Sequence, residues 1–164
     1  MFRDMRRIKQ LLSQEETMEI LQRETSGVLA LLGDEDYPYA VPLSYVYCDS
    51  KIYFHSAKTG HKIDAIANHE KASFCIISED NIVPEKYTTY FRSVIAFGKI
   101  RIVEDEAEKR EAIEKLALKY SPEDEAGRDK EIEGSYKALC MLALDIDHVT
   151  GKEAIELVRA REEK

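Results

Sequence analysis

The sequence predicts a small, mainly β fold with peripheral helices, most simply an antiparallel, Greek-key-like barrel of about six strands. Runs of β-branched and aromatic residues recur along the chain, and turn-forming residues separate them. Segments in which apolar residues recur at helical spacing lie around these runs. The 164 residues, 44% of them hydrophobic, suffice for one core, so we expect residues 1–164 to form one domain.

The first predicted element is a helix over about residues 13–25. Ser13 and Glu16 have the S-x-x-E spacing of a capping box. Apolar residues then recur at helical spacing until Gly27, a residue type that commonly ends helices.

An antiparallel meander of three strands is predicted to follow the helix. Its strands are expected at residues 28–32, 39–47 and 51–55. Pro38 and Pro42 lie at or within the second strand, and proline donates no backbone hydrogen bond. The two prolines therefore indicate an edge strand, a bulge, or a place where a ligand approaches the backbone.

The second half of the chain is predicted to alternate helices and strands. The strands are expected at residues 72–78, 88–103 and 139–149, and the helices at 60–69, 105–119 and from 152 onward. Residues 79–87 and 121–133 are polar or charged and are predicted as loops, with a turn at 150–151. Gly98 indicates a bend or bulge. Three side chains of the middle helix are expected to point inward: Ile113, Leu116 and Leu118.

Charge and hydropathy exclude several partners. The net charge of −8 opposes binding to nucleic acid. The apolar runs are far shorter than the roughly 20 residues that span a bilayer, so no membrane partner is expected. Three cysteines without a close pair are typical of a reducing compartment, and no signal-peptide pattern opens the chain. We therefore expect a cytoplasmic protein.

The segment after the third strand has the composition of a phosphate site. Ser56 and Thr59 supply hydroxyls, Lys58 and Lys62 supply positive charge, and Gly60 precedes a predicted helix. A helix N-terminus with nearby donors favours an anion. The alternative at this point is an ordinary strand-to-helix turn with surface lysines.

Residues 40–45 have the composition expected beneath a planar heterocycle. They combine small apolar side chains, backbone polar groups and the hydroxyl of Ser44. A ring needs an apolar slab and a few polar contacts at its edge. The alternative is a half-buried strand interrupted by Pro42.

Four ordered motifs together resemble one known family. They lie at residues 37–45, 54–62, 90–99 and 145–153, with the sequences YPYAVPLSY, FHSAKTGHK, YFRSVIAFGK and DIDHVTGKE. This order and spacing are similar to those of the nitroimidazole-resistance proteins of the pyridoxamine 5′-phosphate oxidase-like superfamily. The resemblance runs from the first helix to about Glu156. It implies an FMN-binding split β-barrel that dimerises, with the FMN sites at the subunit interface.

The resemblance also implies which residues meet the cofactor. It puts the flavin ring and ribityl chain along Ala40, Val41, Pro42, Leu43, Ser44 and Tyr45. It puts the phosphate among His55, Ser56, Ala57, His61 and Lys62, with Lys58 as an extra cation. Arg92 and Ser93 match the position from which the second subunit reaches the cofactor, and Lys152 lies near the barrel mouth.

The implied activity is FMN-dependent reduction of a nitro group or a similar small acceptor. His55 is then either an active-site group or a phosphate ligand only. Ala40 and Tyr45 stand where pyridoxamine phosphate oxidases carry basic residues, which argues against vitamin B6 oxidation.

Two other interpretations stay open. One is a flavin- or haem-binding module without turnover, because a fold does not determine a reaction. The other is a deazaflavin enzyme, although no further basic contacts for its longer tail are evident. The histidine spacings match no compact metal-ligand pattern, so no metal is expected.

Overall fold

The computed structural model describes residues 1–163 and shows the predicted mixed fold, a curled antiparallel sheet with peripheral helices. The strands are β1 (Ser26–Leu32), β2 (Pro38–Ser44), β3 (Val46–Cys48), β4 (Lys51–Ala57), β5 (Lys71–Val83), β6 (Thr88–Ile102) and β7 (Leu139–Glu153). The helices are α1 (Gln14–Arg23), α2 (His61–Asn68), α3 (Glu106–Tyr120), α4 (Glu125–Ser135) and α5 (Ile155–Glu162). None of the helices in this described part of the chain is long and apolar enough to cross a membrane.

Tyr45 joins the two ends of the sheet. Within residues 1–163 the strand order is β2-β1-β5-β6-β7-β4-β3, so β2 and β3 lie at opposite edges. Only Tyr45 separates these two strands in sequence, and one residue spans at most about 3.6 Å of chain. The sheet must therefore curl until its edges meet. This corner splits the strand predicted at 39–47, which is why seven strands form instead of six.

Contacts of Tyr45 hold this corner in place. The ring is fully buried and packs edge-on against Phe74, with centroids 5.0 Å apart. The phenol donates to the carbonyl of Leu21 at 2.8 Å, and the Tyr45 amide donates to the Tyr120 hydroxyl at 3.0 Å. Burial raises the pKa of this phenol, and the negative charge of Glu24 adds to the shift. Helices α1 and α3 thus both attach to the turn between β2 and β3.

The sheet has a core on each of its two faces. Inside the barrel, Phe54 and Phe74 pack among aliphatic side chains. Outside it, Tyr53 and Met141 pack against α3 and α4. Because neighbouring residues of a strand point to opposite faces, His55 shares the outer face with Tyr53.

Of three elements predicted in the first half of the chain, the structure confirms two helices and corrects a three-stranded meander. The capping box of Ser13 and Glu16 forms and α1 begins where expected. The helix predicted at 60–69 is α2. The three-stranded meander is wrong: β1 pairs with β2 and β3 pairs with β4, but β2 and β3 occupy opposite edges. The prolines of β2 accordingly lie in an edge strand.

Two segments predicted as loops are regular structure. β5 continues to Val83 past a register shift between Ile77 and Glu79, and pairs with β6 over this whole length. The charged segment 121–133 contains the first turns of α4. The Asp124 carboxylate caps that helix by accepting from the Gly127 amide at 2.9 Å. The polar composition of both segments led to the prediction of loops. Both are regular structure because each needs few apolar residues to stay attached to the rest of the protein.

The remaining corrections concern the last strands and α3. The turn predicted at 150–151 is absent from the described chain, where β7 runs on to Glu153 and pairs with β6. The bulge predicted at Gly98 is confirmed by a register shift between Phe97 and Gly98. Leu118 was expected to point inward, but its side chain is exposed, whereas the other two predicted α3 residues are buried.

Candidate functional site

The loop between β4 and α2 presents free backbone amides at the start of a helix. Gly60 adopts φ +121°, a conformation that side chains rarely allow, and α2 begins at the next residue. The Gly60 carbonyl accepts from the amides of Ile63 and Asp64 at 2.9 and 3.1 Å. The amides of His61 and Lys62, at the start of the helix, have no partner within the helix. They lie at the positive end of the helix dipole.

Ser56 and the lysines of this loop lie near Cys140. Ser56 is largely buried and pairs in register with Cys140, whose thiol donates to the Ala57 carbonyl at 3.3 Å. Burial raises the pKa of this thiol, and the positive charges of Lys109, Lys62 and Lys58 oppose that shift. The loop therefore places cations beside a nearly buried hydroxyl.

The His61 ring does not belong to the same cluster. It stacks on Tyr39 with centroids 4.1 Å apart, and its Nε2 lies 3.7 Å from an Asp34 carboxylate oxygen. These contacts direct the ring toward the β1–β2 connection. The part of His61 that remains for a ligand of the loop is its backbone amide.

The exposed face of β2 presents small side chains. Ala40, Pro42 and Ser44 are exposed and alternate with half-buried residues that pack on the barrel core. The side chain of Tyr45 is in the core, so only its backbone could reach a ligand here. The structure thus divides the predicted ring-binding segment into an outward set, an inward set and the buried corner. The inward set is Val41 and Leu43.

His55 and Ser44 line a cavity of about 440 Å³ on the outer face of the barrel. His55 lies opposite Met141 in the β4–β7 ladder and its side chain is exposed. Helices α3 and α4 form the other walls. The cavity was not expected from the sequence, because six of its fourteen lining residues come from the segment predicted as a loop. The cap formed by Asp124 was the local signal that could have identified α4.

Arg92 and Ser93 do not lie on the same face of β6. Arg92 bonds Glu79 through Nη1 at 3.1 Å and the fully buried Glu153 through Nε at 3.2 Å. Arg161 also donates to Glu153. An arginine among apolar neighbours needs a partner, and this one has two carboxylates of its own chain. Ser93 pairs with Lys152 in the β6–β7 ladder, on the opposite face.

The fold defines the architectural class of this protein, and its sequence defines the family. The curled sheet with its loop and helix after β4 has the architecture of a split β-barrel. The sequence profile of the pyridoxamine 5′-phosphate oxidase family matches residues 13–153. The chain belongs to this family. No match was found among curated protein sequences.

Solved structures share the fold at low sequence identity. A candidate 5-nitroimidazole antibiotic resistance protein from Bacteroides thetaiotaomicron is 20% identical, with TM-score 0.72 over 87% of this chain and 86% of that one. An FAD- and haem-binding protein from Mycobacterium smegmatis is 20% identical, with TM-score 0.73 over 88% and 73%. An FAD-binding protein from Mesorhizobium loti is 22% identical, with TM-score 0.61 over 88% and 96%.

Proposed function

We propose that this protein is an FMN-dependent oxidoreductase that reduces a small acceptor, with a nitroimidazole as the first candidate. The observation that carries the proposal is the β4–α2 loop, which combines a hydroxyl, two lysines and the free amides of a helix N-terminus in one short segment. The relatives described as FAD-binding and as a candidate nitroimidazole resistance protein support a flavin and a nitro acceptor.

The β4–α2 loop fits the terminal phosphate of FMN. Lys58 and Lys62 would balance its charge, Ser56 would donate its hydroxyl, and the amides of His61 and Lys62 would donate from the helix. No described atom outside the adjoining residues lies within 4 Å of the position a Cβ would take at Gly60. The loop is therefore open on that side. Its donors suit one phosphate group, which is why we propose FMN and not FAD.

The exposed face of β2 would support the flavin ring. Ala40 and Pro42 provide an apolar surface, and Ser44 lies at the end nearest His55, since both line one cavity. When bound, FMN would supply hydride transfer to the acceptor. His55 would donate a hydrogen bond to an acceptor oxygen, and helices α3 and α4 would limit access of water.

We also propose a homodimer with the cofactor at its interface. Pro42, Val28, Cys75 and Ile95 follow one another across β2, β1, β5 and β6 on the outer face of the sheet. Val28 and Ile95 are each 38% exposed, and Phe97 nearby is 36% exposed. An apolar row of this kind suits a self-complementary twofold contact. Ser93 and Lys152 lie on the same face, so we assign the contact with the second FMN to them.

The double variant Ile95→Lys, Phe97→Lys is expected to be monomeric, because two charges would be buried in the proposed contact. It should also retain less FMN. Light scattering after size-exclusion chromatography measures the mass, and absorbance measures the flavin. Leu118→Lys, on exposed α3 surface, is the matched control and should remain dimeric. A wild-type protein that is monomeric and flavin-loaded would rule out the interface.

The purified protein is expected to show flavin absorption, and the cofactor released by heat should co-elute with FMN. Anaerobic protein reduced with dithionite should be reoxidised faster by a nitroimidazole than by buffer. The nitro group then gains two electrons and two protons to give a nitroso group and water. Flavin without faster reoxidation would indicate a binding module, and a Soret band would indicate haem.

The free thiols of Cys48, Cys75 and Cys140 agree with the proposed cytoplasmic location.

A further inference from the structure

The cavity beside His55 has walls formed by one face of each of two helices. α3 contributes Ile113, Leu116, Ala117 and Tyr120, at the spacing of one helical face. α4 contributes Gly127, Arg128, Glu131, Ile132 and Ser135, also on one face. Ser44, His55 and Leu139 provide the side formed by the barrel.

The composition of the α4 face explains why the space is open. A helix that packs on a core normally presents an apolar stripe to it. Here Ile132 is the large apolar side chain of the stripe, and Gly127, Arg128, Glu131 and Ser135 are small or polar. The volume of about 440 Å³ falls in the range of small-molecule sites. Polar groups facing an apolar wall are typical of such a site.

Arg128 is held in position with donors to spare. Its Nη1 donates to the carbonyls of Ser121 and Pro122 at 2.7 and 2.9 Å. Arg110, by contrast, is paired with the carboxylates of Glu114 and Glu133. Since the bonds of Arg128 within residues 1–163 use Nη1, its Nε and Nη2 can donate to a ligand.

We propose that this cavity binds an uncharged compound of one or two rings that carries a hydrogen-bond-accepting oxygen. Ile113, Leu116 and Ile132 would contact the ring, and Arg128 would donate to the oxygen. Asp124 and Glu131 also line the cavity, so the site does not favour an anion. That the compound is the electron acceptor rests on the proposed function, because Ser44 and His55 connect the cavity to the β2 face. Its binding does not depend on that function.

The test uses two probes of similar shape, the ketone α-tetralone and the hydrocarbon tetralin, with saturation-transfer NMR on the protein as purified. We expect α-tetralone to bind about tenfold more tightly than tetralin, through the bond from Arg128. Arg128→Gln should remove most of this difference, whereas Lys130→Gln, on exposed α4 surface, should keep it. The anion α-naphthoate should bind more weakly than α-tetralone.

A second variant tests the location of the probe by filling the cavity. Ala117→Phe should weaken binding of both compounds at least about tenfold, because the new ring would occupy the apolar wall. Leu118→Phe places the same aromatic side chain on the exposed side of α3, outside the cavity lining, and should change neither affinity. Circular dichroism checks that each variant is folded.

Three results would overturn the inference. The first is that wild type, Arg128→Gln and Ala117→Phe all bind α-tetralone equally. The second is that the anion α-naphthoate binds more tightly than α-tetralone. The third is that FMN and α-tetralone compete. The last result would mean that the cavity belongs to the flavin ring. A protein that binds α-tetralone as expected but no flavin would contradict the proposed function and leave this site in place.

Discussion

Gly98→Ala is expected to lower the free energy of unfolding by at least about 3 kcal/mol, a large part of the stability of a small domain. A Cβ at this position would lie 2.0 Å from the carbonyl oxygen of Asp145 and 3.2 Å from the Cα of Ile146. Both contacts are backbone atoms of the paired strand β7. They could withdraw only by breaking the β6–β7 ladder at its register shift.

Urea denaturation followed by circular dichroism measures this effect. Gly134→Ala is the matched control. Gly134 lies in α4, and apart from adjoining residues and the backbone of that helix, no atom of residues 1–163 lies within 4 Å of the position its Cβ would take. Alanine favours a helix over glycine by about 1 kcal/mol, so the control should be as stable as wild type or more so. A Gly98→Ala protein with wild-type stability would contradict the close approach of β6 and β7 at this position.

The double variant Ser56→Ala, Lys62→Ala is expected to bind FMN about 10²- to 10⁴-fold more weakly than wild type. Each substitution removes a hydrogen bond to a charged phosphate, worth about 1.5–3 kcal/mol. Titration of the apoprotein with FMN, followed by quenching of flavin fluorescence, gives the two affinities. Lys71→Ala changes an exposed lysine at the start of β5 and should leave the affinity unchanged. Unchanged affinity in the double variant would place the phosphate outside the β4–α2 loop.

Elements with strong local signals could be predicted from the sequence. The capping box at Ser13 marks the start of α1, and Gly60 precedes α2 as expected. Helix α4 was missed because its composition is almost wholly charged or small, and its attachment depends on the single buried side chain of Ile132. The corner at Tyr45 could not be predicted either. It depends on contacts with Leu21 and Tyr120, which are distant in sequence.

The candidate site also has parts that could be predicted from the sequence and parts that could not. The β4–α2 loop is one continuous segment, so its hydroxyl, lysines and helix amides could be proposed as one phosphate site from the sequence alone. The surroundings of Arg92 could not, because its carboxylate partners come from the extended parts of β5 and β7. The cavity beside His55 was also unforeseen, since it exists only where α4 covers the outer face of the barrel.

The most direct test of the central claim compares FMN with riboflavin, which lacks the phosphate. If the β4–α2 loop holds the phosphate, the wild-type apoprotein should bind FMN at least about 100-fold more tightly than riboflavin. The double variant Ser56→Ala, Lys62→Ala should lose most of that preference. Equal affinity of the wild-type protein for FMN and riboflavin would contradict the assignment of this loop as a phosphate site.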